Sequence, residues 1–283
     1  MKKIFTLIII IGLIGIVIEC TTGSSKIATT NASQDKDRLQ TMKEKGIITI
    51  VSPPKEIPFF YVEPETKEIS GIDADIINEI AKRLGINKVE VKEESFSNLF
   101  ERLKTDNSID IAVGGIFITP EREESLEFTK PLYKETETVI VPKFSDINYK
   151  SDLKNLVVGV ERGTIFVDLA QEWKKNGVVK DVIVFESTTD LLNAICHTKI
   201  DAGIADSIVV NSVLSKDDSK LPLRILKDYT PELHGTIGMA VRKNDISLLK
   251  SVNEIIDGMR ADGTLYAILV ENGLDKNNFI ETK

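Results

Sequence analysis

From about residue 38 the chain alternates short β-branched runs with stretches whose apolar residues recur three and four apart. Residues 47–51 form a β-branched run, apolar but for Thr49, and read as a buried strand. After them Ile76, Ile77, Ile80, Ala81 and Leu84 line one face of a predicted helix, with Asp73 as its N-cap and Gly85 as its stop. A strand near residues 89–92 follows, then a short helix marked by Leu99, Phe100 and Leu103. The next strand carries Ile109, Ile111 and Val113 and ends at Gly114 and Gly115.

The same rhythm returns further on. Strands are predicted at 156–160, 182–185 and 202–205, each followed by a helix, at 164–175, 189–196 and 207–214; Gly177 closes the first of these. A last strand at 237–241 precedes two helices, about 247–259 and 263–272. Such alternation predicts an α/β fold with mostly parallel sheets flanked by helices. Two series predict two lobes: 38–134 with 236–283, and 135–235. The chain would cross between them near 134–137 and 229–235, a two-segment hinge. Open parallel sheets bind ligands at the carboxyl ends of their strands, so the cleft between the lobes is the expected site.

The amino-terminal end departs from this pattern. Lys2 and Lys3 precede a run from Ile4 to Ile18 that is apolar but for Thr6, Gly12 and Gly15, which reads as an export signal over residues 1–19. The run is shorter than the roughly 20 residues a spanning helix needs. Cys20 follows, in a segment resembling a bacterial lipoprotein processing site, although Glu19 stands where a small residue normally precedes the cysteine. The resemblance implies a lipid on Cys20. Residues 20–37 are polar and read as a tether, so the folded part is expected outside the cytoplasm, in the periplasm or at the outer face of the cytoplasmic membrane.

Composition removes several function classes. The net charge of −8 argues against nucleic acid, which requires a basic face. Two cysteines provide no disulfide framework, and Cys196, in an apolar helical stretch, reads as a buried thiol. Two histidines and no H-E-x-x-H, G-x-S-x-G or P-loop pattern leave no metal or cofactor implied. His197 is expected near a helix end, and His234 in a loop at the return crossing.

The chemically richest stretch is residues 114–133, GGIFITPEREESLEFTKPLY. Gly114 and Gly115 let backbone approach a ligand closely. Thr119 is placed as an N-cap and Pro120 at the first helical position, which puts Arg122 at a strand-to-helix corner. A planar guanidinium there suits bidentate capture of a carboxylate. Equally, it could be a surface arginine paired with Glu123 or Glu124.

The run TPERE with LEFTKPLY after it resembles family 3 extracellular solute-binding proteins, the polar amino-acid receptors of ABC importers. Ile57-Pro58-Phe59, the segment 71–75, Gly163-Thr164, and Ile200-Asp201-Ala202 leading to Asp206 match the same family in order, over about residues 45–273. The resemblance implies the type II periplasmic-binding-protein-like fold, a membrane permease as partner, and a monomer. It implies that Arg122 grips a ligand α-carboxylate, that the helix start at Gly163-Thr164 adds donors, and that Asp206 accepts the α-ammonium. Asp206 could also cap the helix beginning at Ser207. Asp73 and Asp75 are left as helix-start residues.

The chain departs from the family where selectivity is set. Glu56 replaces a clamping aromatic, Ile72 the aromatic of a G-F-D-x-D segment, Phe117 a small hydroxyl residue, and Glu161 a basic or amide position. Glu56 and Glu161 would favour a cationic ligand, while a betaine or other compact zwitterion stays open. The rival from another class is a cyclohexadienyl dehydratase on the same scaffold, with Glu161 or Glu186 as general acid. A sensor that passes closure to a partner protein is the third reading.

Overall fold

The structure is a computed structural model that describes residues 37–215 and 221–280. The expected export signal, Cys20 and the tether up to residue 36 lie outside the described residues. Asp37, the last tether position, already belongs to the fold: its carboxylate accepts from Leu39 N and caps α1 (Arg38–Lys45).

The first apolar run forms β1 (Ile47–Ser52). Three short strands, β2 (Lys55–Glu56), β3 (Phe60–Val62) and β4 (Ile69–Ser70), make a small antiparallel sheet. Helix α2 (Ile72–Leu84) begins two residues earlier than an Asp73 cap requires. Its N-cap is Gly71, with φ 109, where a Cβ would lie 2.6 Å from Pro58 O and 2.8 Å from Phe59 O. The chain is pressed too closely there for a side chain, and Asp73 is carried into the first turn. Gly85 closes the helix in the left-handed conformation, as predicted.

β5 (Lys88–Glu93), α3 (Leu99–Thr105), β6 (Ile111–Ala112), α4 (Pro120–Ser125) and β7 (Leu126–Phe128) complete the first series. β8 (Tyr133–Pro142) opens the second, followed by β9 (Val157–Glu161), α5 (Phe166–Lys175), β10 (Asp181–Phe185), α6 (Thr188–Cys196), β11 (Ala202–Asp206), α7 (Ser207–Leu214) and β12 (Leu223–Ile225). The chain ends with β13 (His234–Ile237), β14 (Ala240–Arg242), α8 (Ile246–Ala261) and α9 (Thr264–Glu271).

These elements form two larger sheets, in the order β5-β1-β6-β14-β7 and β10-β9-β11-β8-β12. In each, three strands run parallel (β5, β1, β6 and β10, β9, β11) and the returning strands are antiparallel. Helices α2, α8 and α9 pack together beside the first sheet, and α5 and α6 against β9. Helices and sheets turn their apolar faces to one another, which accounts for the buried isoleucines of β1 and α2.

The run 237–241, expected to be one strand, is divided. Its first residue closes β13, which pairs with the start of β8, Ile237 opposite Tyr133. After Gly238 and Met239 the chain enters the first sheet as β14. Gly238 lies against Ile118, where a Cβ would meet Cδ1 at 2.8 Å, and Met239 N donates to Thr129 Oγ1 at 3.0 Å. The apolar run is continuous because every residue in it is covered, yet its backbone partners change from one sheet to the other. β8 changes partner likewise, pairing with β13 over its first four residues and with β11 from Glu137 to Ile140. His234 is therefore a strand residue, exposed on β13, rather than a loop residue.

Candidate functional site

The carboxyl ends of the parallel strands carry the polar chemistry. Glu161 and Asp206 are the last residues of β9 and β11, and Gly114 and Gly115 follow β6. This is where a ligand cleft is expected in open α/β sheets.

Arg122 is set as the sequence predicts. Thr119 Oγ1 accepts from Arg122 N at 3.3 Å and Pro120 opens α4. The guanidinium lies over the rings of Phe100 and Phe96, 4.9 and 5.8 Å from their centroids. Nη1 donates to Phe117 O at 2.8 Å and Nη2 to Gly163 O at 3.0 Å, so one side chain joins loops of both lobes. These donors go to carbonyl oxygens, not to Glu123 or Glu124. Burial lowers its pKa to about 10 against the opposing charge of Asp206, and it stays protonated at neutral pH.

Asp206 faces it, and further acids surround Asp206. Asp206 is buried at the N-cap position of α7, yet its side chain makes no capping hydrogen bond. Its pKa is pushed well up, first by burial and then by the charges of Glu135, Glu56 and Glu161. Glu56, on β2 of the first lobe, and Glu161, at the end of β9 in the second, are both buried. The Thr188 hydroxyl joins them, 3.3 Å from Glu56 Oε1 and in contact with Glu161 Oε2. Burial raises Glu56 well above the ordinary carboxyl range, with the charge of Glu161 adding to it, and raises Glu161 to about 7. Beside Glu56 and Glu161 a recess of about 580 Å³ is bordered by Phe96, Glu94, Glu186 and Ser187. Glu186 itself is exposed and paired with Arg162 at 2.8 Å.

Other predicted site residues have different employment. Gly115 N donates to Asp73 Oδ2 at 2.8 Å, so that amide serves the fold rather than a ligand. A Cβ on Gly115 would lie 2.3 Å from the Phe59 ring, which is why glycine is required there. Ile72 is wholly enclosed in the first lobe's core, with its N–H on Pro58 O. Phe117 is buried edge-on against Phe166 of the opposite lobe, ring centroids 5.8 Å apart, and lies against Gly235. It forms an aromatic contact between lobes, worth about 0.5–1.5 kcal/mol beyond its burial. Thr164 precedes the N-cap of α5, which begins two residues later than expected, and its hydroxyl donates to Glu161 O at 2.8 Å. Of the groups outside the site, His197 ends α6 with Nδ1 2.8 Å from Asn193 O, and Cys196 is half-buried rather than fully enclosed.

Two participants, Thr188 and Glu135, were not singled out from the sequence, and a third, Asp73, was read only as a helix-start residue. Thr188 opens α6 one residue before the predicted start, and the Ser-Thr-Thr-Asp run was the available signal. Asp73 is fully buried and accepts from Gly114 N, Gly115 N and Tyr133 Oη at 2.8–2.9 Å. Glu135 is buried on β8, with Oε1 accepting from Ser207 N, Ser207 Oγ and Thr136 N. Its pKa is raised to about 7 by burial. It also borders a second recess, of about 520 Å³, between α7 and the segment after α9. A glutamate in a β-rich run carries no local mark of such partners.

The sequence model for bacterial extracellular solute-binding proteins, family 3, matches residues 48–272. The ABC transporter arginine-binding protein 1 of Escherichia coli (strain K12) is 30% identical over 202 residues, 71% of this chain and 80% of its own. A probable histidine-binding protein of Neisseria gonorrhoeae is 28% identical over 232 residues, 81% of this chain and 84% of its own. Among solved structures, an ancestral arginine-binding protein bound to arginine matches with a TM-score of 0.72 at 26% identity, over 81% of this chain and 99% of that one.

Proposed function

The chain belongs to the bacterial extracellular solute-binding proteins of family 3, and we propose on that footing that its ligand is a cationic amino acid. It is an amino-acid-binding protein of an ABC transporter, working by closure of two lobes on a small zwitterion. The observation that carries the cationic reading is three buried carboxyls, Glu56, Glu161 and Asp206, close enough to raise the pKa of Asp206 together, with a single guanidinium, that of Arg122, opposing Asp206. A zwitterion uses one charge of each sign: its carboxylate on Arg122 and its ammonium on Asp206. Glu56 and Glu161 then remain for a side-chain cation. Placed between them, a cation would offset the burial that favours their protonated forms.

Closure follows from the same residues. Arg122 reaches Gly163 O and Thr188 reaches Glu56 from opposite lobes, and a ligand held by Arg122, Asp206, Glu56 and Glu161 would add to these contacts in the closed form. It shifts the equilibrium as far as it binds that form better. Export, a lipid at Cys20, a monomeric state and delivery to a membrane permease complete the reading. Among the described residues no helix is long and apolar enough to cross a membrane.

A dehydratase acting on a dicarboxylate is disfavoured by the same charges. Glu161, near pKa 7, is a chemically competent proton donor, but a doubly anionic substrate would face three carboxyls and one guanidinium.

The test is thermal unfolding of residues 21–283 with arginine, lysine, ornithine, histidine, glutamine, glycine betaine and prephenate. A ligand at a hundred times its Kd adds about 2.7 kcal/mol of stability. The cationic amino acids should give the largest shifts. A larger shift with glutamine or betaine would refute the charge argument, and a prephenate shift with product formation would restore the enzyme. Arg122→Ala with Asp206→Ala should abolish binding in a chain that still folds.

A further inference from the structure

Aspartate is among the best N-cap residues, because its carboxylate accepts the unpaired amides of the first helical turn. Asp206 occupies that position on α7 and does not perform the task. Glu135 performs it instead. Its Oε1 lies 3.0 Å from Ser207 N and 2.6 Å from Ser207 Oγ, and the nearby Ile208 amide favours its charged form. Glu135 arrives from β8, where it stands opposite Gly235 of β13 in the paired strands that cross between lobes. The first amide of α7, beside the Ile208 amide that an N-cap aspartate would take, is thus already held by a residue 72 positions away.

We infer that Glu135 is a positioning residue: by capping α7 in place of Asp206, it keeps the Asp206 carboxylate turned to the ligand's ammonium. The inference rests on the reading of Asp206 as the ammonium acceptor. Without Glu135, the first-turn amides of α7 would lose their acceptor, and the adjacent Asp206 would turn onto them. Its charge would then be spent on two backbone amides and withdrawn from the cleft. The loss would fall on ligands that carry an α-ammonium and spare those that do not. A general weakening of the fold would reduce both alike.

The experiment compares L-arginine with 5-guanidinopentanoate, the same molecule without its α-amino group, by titration calorimetry on the full folded chain. Glu135→Ala, Glu135→Asp, Glu135→Gln and Asp206→Asn are measured beside the wild type. The wild-type protein should prefer L-arginine by about a hundredfold, the scale of a buried charge pair. Glu135→Ala should cut that preference by about tenfold or more. Glu135→Asp, which keeps the charge but shortens the reach, should do the same if the alanine variant folds poorly. Glu135→Gln, which still offers an acceptor, should restore most of the preference. Equal losses for both ligands in Glu135→Ala, with no change in their ratio, would overturn the inference. Asp206→Asn separates the two readings: an unchanged ratio there removes Asp206 as the ammonium acceptor. Independently of any ligand, a crystal structure of Glu135→Ala or Glu135→Asp should show the Asp206 carboxylate on the Ile208 amide. An unmoved Asp206 would refute the substitution of one cap for the other.

Discussion

Two aspartates of this molecule look alike and do opposite work. Asp73 and Asp206 each stand at the start of a helix, and both are buried. Asp73 is surrounded by donors of its own lobe: two glycine amides and the Tyr133 hydroxyl. Burial raises its pKa, and those three hydrogen bonds pull against the rise. Asp206 has neighbours of the wrong sign, Glu135, Glu56 and Glu161, which add to the effect of burial. The first is a satisfied joint of the fold. The second is a charge held ready for a partner from outside. Burial alone does not distinguish a structural acid from a binding one; the donors around it do.

The contrast can be broken most severely at Asp73. Asp73→Ala leaves three buried donors unpaired and should cost about 3–5 kcal/mol in denaturant unfolding. A loss below about 1 kcal/mol would mean the joint is replaceable. The matching change at Asp206 should be nearly silent in the same measurement. Asp206→Asn should lower affinity for a cationic amino acid about a hundredfold by calorimetry, with unchanged or increased stability in the absence of ligand, because it removes one acid from a repelling group.

A smaller effect is expected at the far end of the cleft. Glu161→Gln should reduce the preference for arginine over glutamine by about tenfold while leaving glutamine affinity almost unchanged. Were both affinities to fall together, Glu161 would be a structural residue on the pattern of Asp73.

The mildest test is pH. Folding raises Glu161 and Glu135 from an ordinary value of 4.5 to about 7, so the folded state holds their protons longer than the unfolded chain does. Their contribution to stability is therefore greatest in acid and declines as pH rises from about 4.5 to about 7. A cationic ligand prefers the ionised carboxyls, so its affinity should rise across the upper part of that window, with net release of protons on binding at pH 6. Calorimetry in two buffers of different ionisation enthalpy reads that release directly. No release, or uptake, would show that Glu161 is not discharged by the ligand.

How much of this was legible in the chain can be seen residue by residue. Thr119 and Pro120 announce the turn that sets Arg122, and the structure has that cap bond. Gly85 marks its helix end for the same local reason, a left-handed position that glycine accepts. Gly115 was legible as a necessary glycine but not in its cause, because the Phe59 ring it accommodates is 56 residues earlier in the chain. Ile72 was read as a selectivity position and is core, since a family position reports where a side chain can stand and not which way this one packs. The split of 237–241 into β13 and β14 escaped the hydrophobic pattern because both halves are buried, each against a different sheet.

By itself, then, the amino-acid order determined what is local: helix and strand periods, glycine stops, the Thr119 cap, and the set of acids and the one arginine available to a cleft. Tertiary structure decided which acid does what. The bonds that matter join Tyr133 to Asp73 across 60 residues, Ser207 to Glu135 across 72, and Thr188 to Glu56 across 132. A carboxylate's role follows from the donors and charges within a few ångströms of it, and at those separations only the folded chain selects them.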